Sequence, residues 1–213
     1  MAEQSLVYVA DPMCSWCWGF SPVIASVVTR FGEQAPVTLI LGGLAPGASR
    51  LMDDANKAMV REHWDHVHEA TGQPFDYGFF EREDFVYDTE PPCRAVVVAR
   101  RLAPERAVIF LNHLHAAFYR DNRNVTDAKT LCDLASGFGF DRDTFAHDLA
   151  SESARQETRG DFEFTRRLGI SGFPALVGFD GESLTPITVG YRPWEQVESI
   201  IDAWSTADGS PDA

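Results

Sequence analysis

A chain of 213 residues, 45% hydrophobic and 12% aromatic, is long enough to bury one sizeable core without covalent staples. Its formal net charge of −14 repels phosphate, which argues against nucleic acid or an anionic membrane as a partner. Four cysteines do not make a disulfide scaffold; the opening MAEQSLVYVADP lacks the features of a secretory signal, and no apolar run is bilayer-sized, so a cytoplasmic protein is expected.

Residues 6–10, LVYVA, read as a buried strand that Asp11-Pro12 ends, because proline cannot continue a central ladder. From Cys14 to Phe31 the period becomes helical: Phe20, Ile24, Val27, Val28 and Phe31 recur on one side, and Gly32 reads as the C-cap. Pro22 either kinks this helix or starts its regular part. Residues 37–41, VTLIL, form a second strand, followed by Gly42-Gly43. Two strands joined by a helix call for a right-handed crossover that sets them side by side.

Between residues 49 and 167 the patterns are mainly helical. Candidates are 53–71, 93–102, 105–120, 127–137 with Thr126 as N-cap, 141–149 and 151–169. The third carries Val108, Leu111, Leu114, His115 and Phe118 on one face, and Gly72-Gln73-Pro74 and Gly139-Phe140-Asp141 are turn signals. Strand character returns at 175–179, turns at Asp180-Gly181, and continues at 184–189. Pro193-Trp194-Glu195 opens a last helix with Val197, Ile200, Ile201 and Trp204 on one face, and residues 206–213 read as a disordered tail. The expected organisation is an α/β unit from residues 1–48 and 168–205, ordered β-α-β then β-β-α, with 49–167 as an inserted helical domain.

The chemistry concentrates in MCSWCWGF, where Cys14 and Cys17 stand three apart. Such a pair can bind metal, bridge inertly or carry redox chemistry. A CxxC that follows a strand and opens a helix reads as a redox motif. A thiol attacks as thiolate, and the unpaired N–H groups of a helix's first turn favour that anion at Cys14. Cys17 lies on the same helical face and can resolve a mixed disulfide. A zinc site built from Cys14, Cys17, Cys93 and Cys132 lacks a second close pair, so no metal is expected. Trp16 and Trp18 either offer an apolar surface to substrate or pack the helix start.

Strand-CxxC-helix, a helical insertion, then GISGFPALVGF, a hairpin and a helix: this order resembles the DsbA family of the thioredoxin superfamily. DPMCSWCWGF and PPCRAVVVAR resemble its FrnE-like, cytosolic branch, and the resemblance covers the chain apart from the tail. It implies a thioredoxin-like fold and a thiol-disulfide oxidoreductase or isomerase in which Cys14 attacks and Cys17 resolves. It also implies a cis Pro174 against the active-site sulfurs, with Phe173 presenting its backbone to an extended substrate. Phe173 departs from the smaller or β-branched residue common at that place. Ser15-Trp16 matches neither the Gly-Pro of thioredoxins nor the Pro-His of the periplasmic oxidant. Expected partners are protein or small-molecule thiols and disulfides, handled by a monomer or homodimer, with glutathione as redox partner and no tightly bound cofactor. Two alternatives stand beside this reading. One is a glutathione-dependent transferase or isomerase of small molecules, whose kappa-class examples carry serine where Cys14 stands. The other is a non-catalytic protein whose binding is switched by the redox state of the pair.

Other residues read more plainly. Cys93 and Cys132 are expected to be buried thiols, with Cys93, beside Pro91-Pro92 and Arg94 at a helix start, the candidate for an accessory redox role. His63, His66 and His68 lack the HExxH pattern of a metal site, and His113 and His115 face different ways on their helix. Arg166-Arg167 is either surface charge or an attractor for a glutathione carboxylate.

Overall fold

Strand β1 (Ser5–Ala10) sits inside a four-stranded sheet: Leu6, Tyr8, Val9 and Ala10 are buried, and Ser5 and Val7 are half-buried. The computed structural model describes residues 4–207. The sheet order is β2-β1-β3-β4, with β2 at Val37–Leu41, β3 at Ala175–Phe179 and β4 at Leu184–Val189. β1 runs parallel to β2, which the crossover through α1 (Ser15–Phe31) requires, and antiparallel to β3; β3 and β4 form the hairpin. Pro186 is tolerated in β4 because that strand is an edge. Between β2 and β3 come α2 (Asp54–Thr71), α3 (Glu90–Leu102), α4 (Ala107–His115), α5 (Ala128–Phe138), α6 (Arg142–Ala150) and α7 (Glu152–Arg167), and α8 (Trp194–Ala207) closes the chain. This is the thioredoxin-like α/β architecture with a helical insertion. One hydrophobic cluster runs without a break from the sheet into the inserted helices.

Helix α1 runs straight through Pro22. Proline at that position supplies no N–H to the carbonyl of Trp18, and two side chains fill the vacancy: Ser21 Oγ donates to it at 2.7 Å and Gln73 Nε2 at 3.2 Å. Gly32 does cap the helix, but in right-handed geometry at φ −60°, not the left-handed turn a C-cap glycine usually supplies. The expected helix over 105–120 is three pieces. A 3-10 turn at Pro104–Arg106 leads into α4, and its last turn widens to a π-turn at Ala116–Arg120. Its expected apolar face is buried as a set. The N-cap of α5 is Asp127, not Thr126, because the carboxylate accepts from Thr130 N at 2.8 Å. α3 starts at Glu90, earlier than expected, with both prolines in its first turn, where their missing N–H groups need no partner. The expected tail begins too early: Thr206 and Ala207 belong to α8, and residues 208–213 lie outside the described residues.

The outer edge of β2 is closed by side chains from the insertion. Asp161 Oδ2 accepts from Leu41 N at 2.9 Å, Thr165 Oγ1 donates to Leu41 O at 3.4 Å, and Arg100 donates to Leu39 O at 2.7 Å. Arg100 also pairs with Asp161 at 2.8 Å, so the buried carboxylate is matched in charge as well as in hydrogen bonds. α3 and α7 thereby stand where a fifth strand could add, which removes an aggregation-prone edge. No described helix is long and apolar enough to cross a membrane.

On the far side of the sheet, α8 lies close enough to β3 that only glycine fits beneath it. A Cβ at Gly178 would stand 2.4 Å from the Trp204 indole, which is itself buried. Gly178→Ala is therefore expected to lower stability by about 1–3 kcal/mol through overpacking. Denaturant unfolding checks this, and an unchanged midpoint would mean that the helix–sheet gap gives way without cost.

Candidate active site at the start of α1

The site is built on Asp11, the residue that follows β1. Its side chain has no contact with water and is held on several sides. Oδ1 accepts from Met13 N at 2.8 Å, Oδ2 accepts from Leu44 N at 2.7 Å, and the Cys93 thiol donates to Oδ2 at 3.4 Å. Burial pushes its carboxyl above the usual carboxylate range, and these hydrogen bonds hold the rise back. The Asp11 carbonyl meanwhile accepts from Cys14 N at 3.1 Å and faces His115 Nε2 at 3.1 Å. One residue thus joins the CxxC turn, the loop after β2, α3 and α4.

Cys14 is the N-cap of α1, in extended backbone geometry, and its side chain makes no capping hydrogen bond. The sulfur thus stands at the helix's N-terminal end, where the first turn's N–H groups lack intrahelical partners. Cys14 is 6% exposed yet lines a cleft of about 520 Å³, so substrate can reach it. Cys17 is 0% exposed, and burial, followed by the hydrogen bond to and charge of Cys14, pushes its thiol well above its ordinary value. The two sulfurs are unbridged and unequal: one opens on a cleft, the other is sealed beneath it.

The Phe173–Pro174 bond is cis, and Phe173 O lies 3.6 Å from Cys14 Sγ. The Phe173 ring fits because position 42 has no side chain: a Cβ there would stand 2.3 Å from the ring. Phe173 and Trp16 both line the cleft, and Trp16 also packs on Tyr191 at 5.8 Å. Trp18 does not belong with them. It is 6% exposed, donates Nε1–H to Pro74 O at 3.1 Å and stacks on Tyr119, so of its two readings the structure places it as packing for the helix start.

The opposite wall comes from α2 and the loop before it. The main anchor of α2 is Trp64, whose ring meets Phe75, Phe79, Phe80 and Tyr119 at 4.8–5.2 Å, while Val67 is buried over Gly19 of α1 and Lys57 Nζ donates to Arg82 O at 2.5 Å. From that anchor its first half overhangs Cys14, and Met13, Met52 and Met59 all line the space between. Tyr87 stiffens the floor by donating to Met13 O at 2.5 Å.

The remaining candidates fall elsewhere. Cys93 is buried against Asp11, where burial and the neighbouring carboxylate push its thiol up. Cys132 lines a separate hollow between α5 and α6. His63, His66 and His68 are exposed, and among the described residues no group of three or more His, Cys, Asp or Glu could hold a metal ion. Arg166 and Arg167 are exposed and do not line the cleft. Sequence reasoning missed three contributors. Asp11 read only as a strand terminator, although a carboxylate three residues before a CxxC was a signal. His115 read only as part of an apolar face. The α2 wall carried no motif at all.

The family model described as thioredoxin matches residues 7–189. Among solved structures, a Nitrosomonas europaea protein assigned as a protein disulfide isomerase superposes with a TM-score of 0.90 at 36% identity, covering 96% of this chain and 98% of the other. The cytosolic disulfide reductase DsbM of Pseudomonas aeruginosa superposes with a TM-score of 0.79 at 25% identity, over 95% and 99%, and has also been solved with glutathione. Among curated proteins, the ClpXP adapter protein SpxH of Halalkalibacterium halodurans is 27% identical over 200 residues, which are 90% of this chain and 64% of that protein. The chain therefore spans less than two thirds of that relative's length.

His115 generates a pH prediction. Its Nε2 faces a carbonyl, which only accepts, so Nε2 carries the hydrogen; burial lowers its pKa to about 4, and the ring is neutral at pH 7. The unfolded chain takes up a proton near pH 6.5 that the folded chain refuses until about pH 4. Stability is thus complete above about pH 6.5 and falls with pH across that window, by about 3 kcal/mol in all. Asp11, pushed the other way, contributes with opposite sign in both proteins compared. Unfolding midpoints of the native chain and His115→Gln should diverge below pH 6.5; parallel profiles would clear His115 of the effect.

Proposed function

The chain belongs to the thioredoxin family, in its DsbA-like group, and from that premise we propose that it is a thiol-disulfide oxidoreductase acting through Cys14 and Cys17. The observation that carries the reading is the inequality of the two sulfurs. Cys14 thiolate attacks one sulfur of a substrate disulfide; that S–S bond breaks, and the first substrate thiolate leaves with the electron pair and takes a proton from solvent. The product is a mixed disulfide in which Cys14 no longer carries charge. One of the influences holding the Cys17 proton is then gone, since the charge of Cys14 is among the causes that push Cys17 up. Cys17 gives up its proton and attacks Cys14 Sγ, which closes the Cys14–Cys17 bond and releases the second thiol. Two electrons and two protons have passed to the substrate, and a cellular dithiol or glutathione must return them.

Phe173 O and the cis Pro174 beside the attacking sulfur suit an extended disulfide-bearing segment, whose main chain can pair there. A reductive or isomerising direction in a glutathione-buffered cytoplasm is supported by the likeness to a cytosolic disulfide reductase that also crystallises with glutathione. That likeness also supports glutathione as redox partner. It leaves a kappa-type transferase as the lesser reading, because this chain keeps a cysteine where those enzymes carry serine.

A second reading is favoured by the curated relatives, which are named as adapters of a protease. In it the same pair switches a binding surface and turnover is absent. The two readings part on the cysteine variants. Under the enzyme reading, Cys14→Ser falls to the uncatalysed exchange rate, while Cys17→Ser retains the substrate as a stable mixed disulfide visible as an intact-mass increase. Native protein that never turns over an insulin-type disulfide, but changes partners on oxidation, would favour the adapter.

A further inference from the structure

Sequence reasoning looked for an anion-attracting group at Arg166-Arg167, yet neither residue lines the Cys14 cleft. Arg50 does. It lies on the loop between β2 and α2, and that loop is a fixed wall. Leu44 N is bonded to Asp11, Ala45 N to Thr89 Oγ1 at 3.1 Å, Gly47 N to Asp88 at 2.7 Å, and the adjacent Leu51 bridges to Val86.

Two independent observations single Arg50 out. First, the cleft has no carboxylate among its lining residues, although the chain carries 32 Asp and Glu against 18 Lys and Arg. Second, most of the chain's cations are committed to carboxylates, carbonyls or aromatic faces: Arg30, Arg94, Arg100, Arg101 and Arg142 to acids, and Arg106 to Phe138. Arg50 has no side-chain hydrogen bond, ion pair or ring contact among the described residues, and it is the one cation in the lining of the cleft that Cys14 opens on. Asn56 and His63, from facing turns of α2, add polar groups to an otherwise apolar, methionine-rich wall. An apolar cleft with one uncommitted guanidinium and no acid suits a small thiol compound whose body is compact and whose end is a carboxylate.

We propose that Arg50, supported by His63 and Asn56, is the anion-recognising group of this cleft, and that it makes small carboxylate-bearing thiols and disulfides, of which glutathione is the type, better partners than neutral ones. This rests on the oxidoreductase reading for its chemistry but not for its binding. The exchange is the one already balanced: glutathione disulfide loses one glutathione thiolate to Cys14 attack and the second to Cys17, and two electrons pass from protein to glutathione.

Two measurements separate the claims. In the first, pre-reduced protein is mixed with glutathione disulfide or with neutral 2-hydroxyethyl disulfide, and the single-turnover rate is followed. Arg50→Gln should lower the second-order rate with glutathione disulfide about tenfold, equivalent to about 1.4 kcal/mol, and leave the neutral disulfide unchanged. The Arg166→Gln, Arg167→Gln double variant should alter neither, and raised salt should narrow the native protein's preference. In the second, glutathione and its diethyl ester, which keeps the amino group but has no free carboxylate, are titrated into Cys14→Ser by calorimetry. Glutathione should bind the more tightly, and Arg50→Gln should erase the difference. Equal loss on both disulfides, or no preference in the titration, overturns the assignment of Arg50. An intact binding preference without any disulfide reduction by native protein would instead sink the oxidoreductase reading and keep Arg50 as an anion site.

Discussion

A carboxylate sealed from water must find every hydrogen bond it needs inside the protein, and Asp11 organises this molecule by doing so. Its two oxygens fasten Met13, Leu44 and Cys93, and its carbonyl fastens Cys14 and faces His115. The CxxC turn and three segments distant in sequence, the loop after β2, α3 and α4, are therefore held to the end of one central strand. The Cys14–Cys17 turn cannot shift without breaking bonds that no water can replace. This is why the Cys14 sulfur sits at a defined place, although neither of its immediate neighbours, Met13 and Ser15, is specialised for rigidity.

The same economy of buried polar groups attaches the inserted helices to the sheet. Asp161, Thr165 and Arg100 complete the hydrogen bonds of β2 that another strand would otherwise make. The helices are thus part of the sheet's own satisfaction as well as a cover over it. α2 follows a different logic. Its ties are concentrated at Trp64 and its neighbours, while its first half overhangs the cleft with few buried side chains. A wall faced with unbranched methionine side chains can adapt to occupants of different shape.

The two sulfurs differ by burial more than by chemistry. Cys14 reaches a largely apolar cleft in which Arg50 is the one Lys or Arg, and Cys17 lies in the core beside Tyr8. Low local dielectric makes the pair interact strongly, so the charge on one sulfur governs the proton on the other. In the proposed exchange that coupling sets the order of events: capture first, resolution after the charge has gone.

Much of this was legible along the chain. Alternating and continuous apolar runs located all four strands, the helical period located the eight helices, and CxxC placed between strand and helix marked the chemistry, because each of these is a local pattern read within a few residues. The cis Phe173–Pro174 bond was expected through resemblance, on the strength of residues far from Cys14 in sequence. What the chain could not announce was which residues meet. Asp11 looked like a strand's end, His115 like one more residue on an apolar face, and Trp18 like a partner of Trp16 until the turn of α1 sent it inward, while Arg50 carried no signal at all. Sequence by itself determined the elements and placed a close cysteine pair at the start of α1, since backbone propensity and side-chain period act locally. Tertiary structure alone decided the cleft, the buried carboxylate and the uncommitted cation, because burial and hydrogen-bond satisfaction depend on neighbours that only folding brings together.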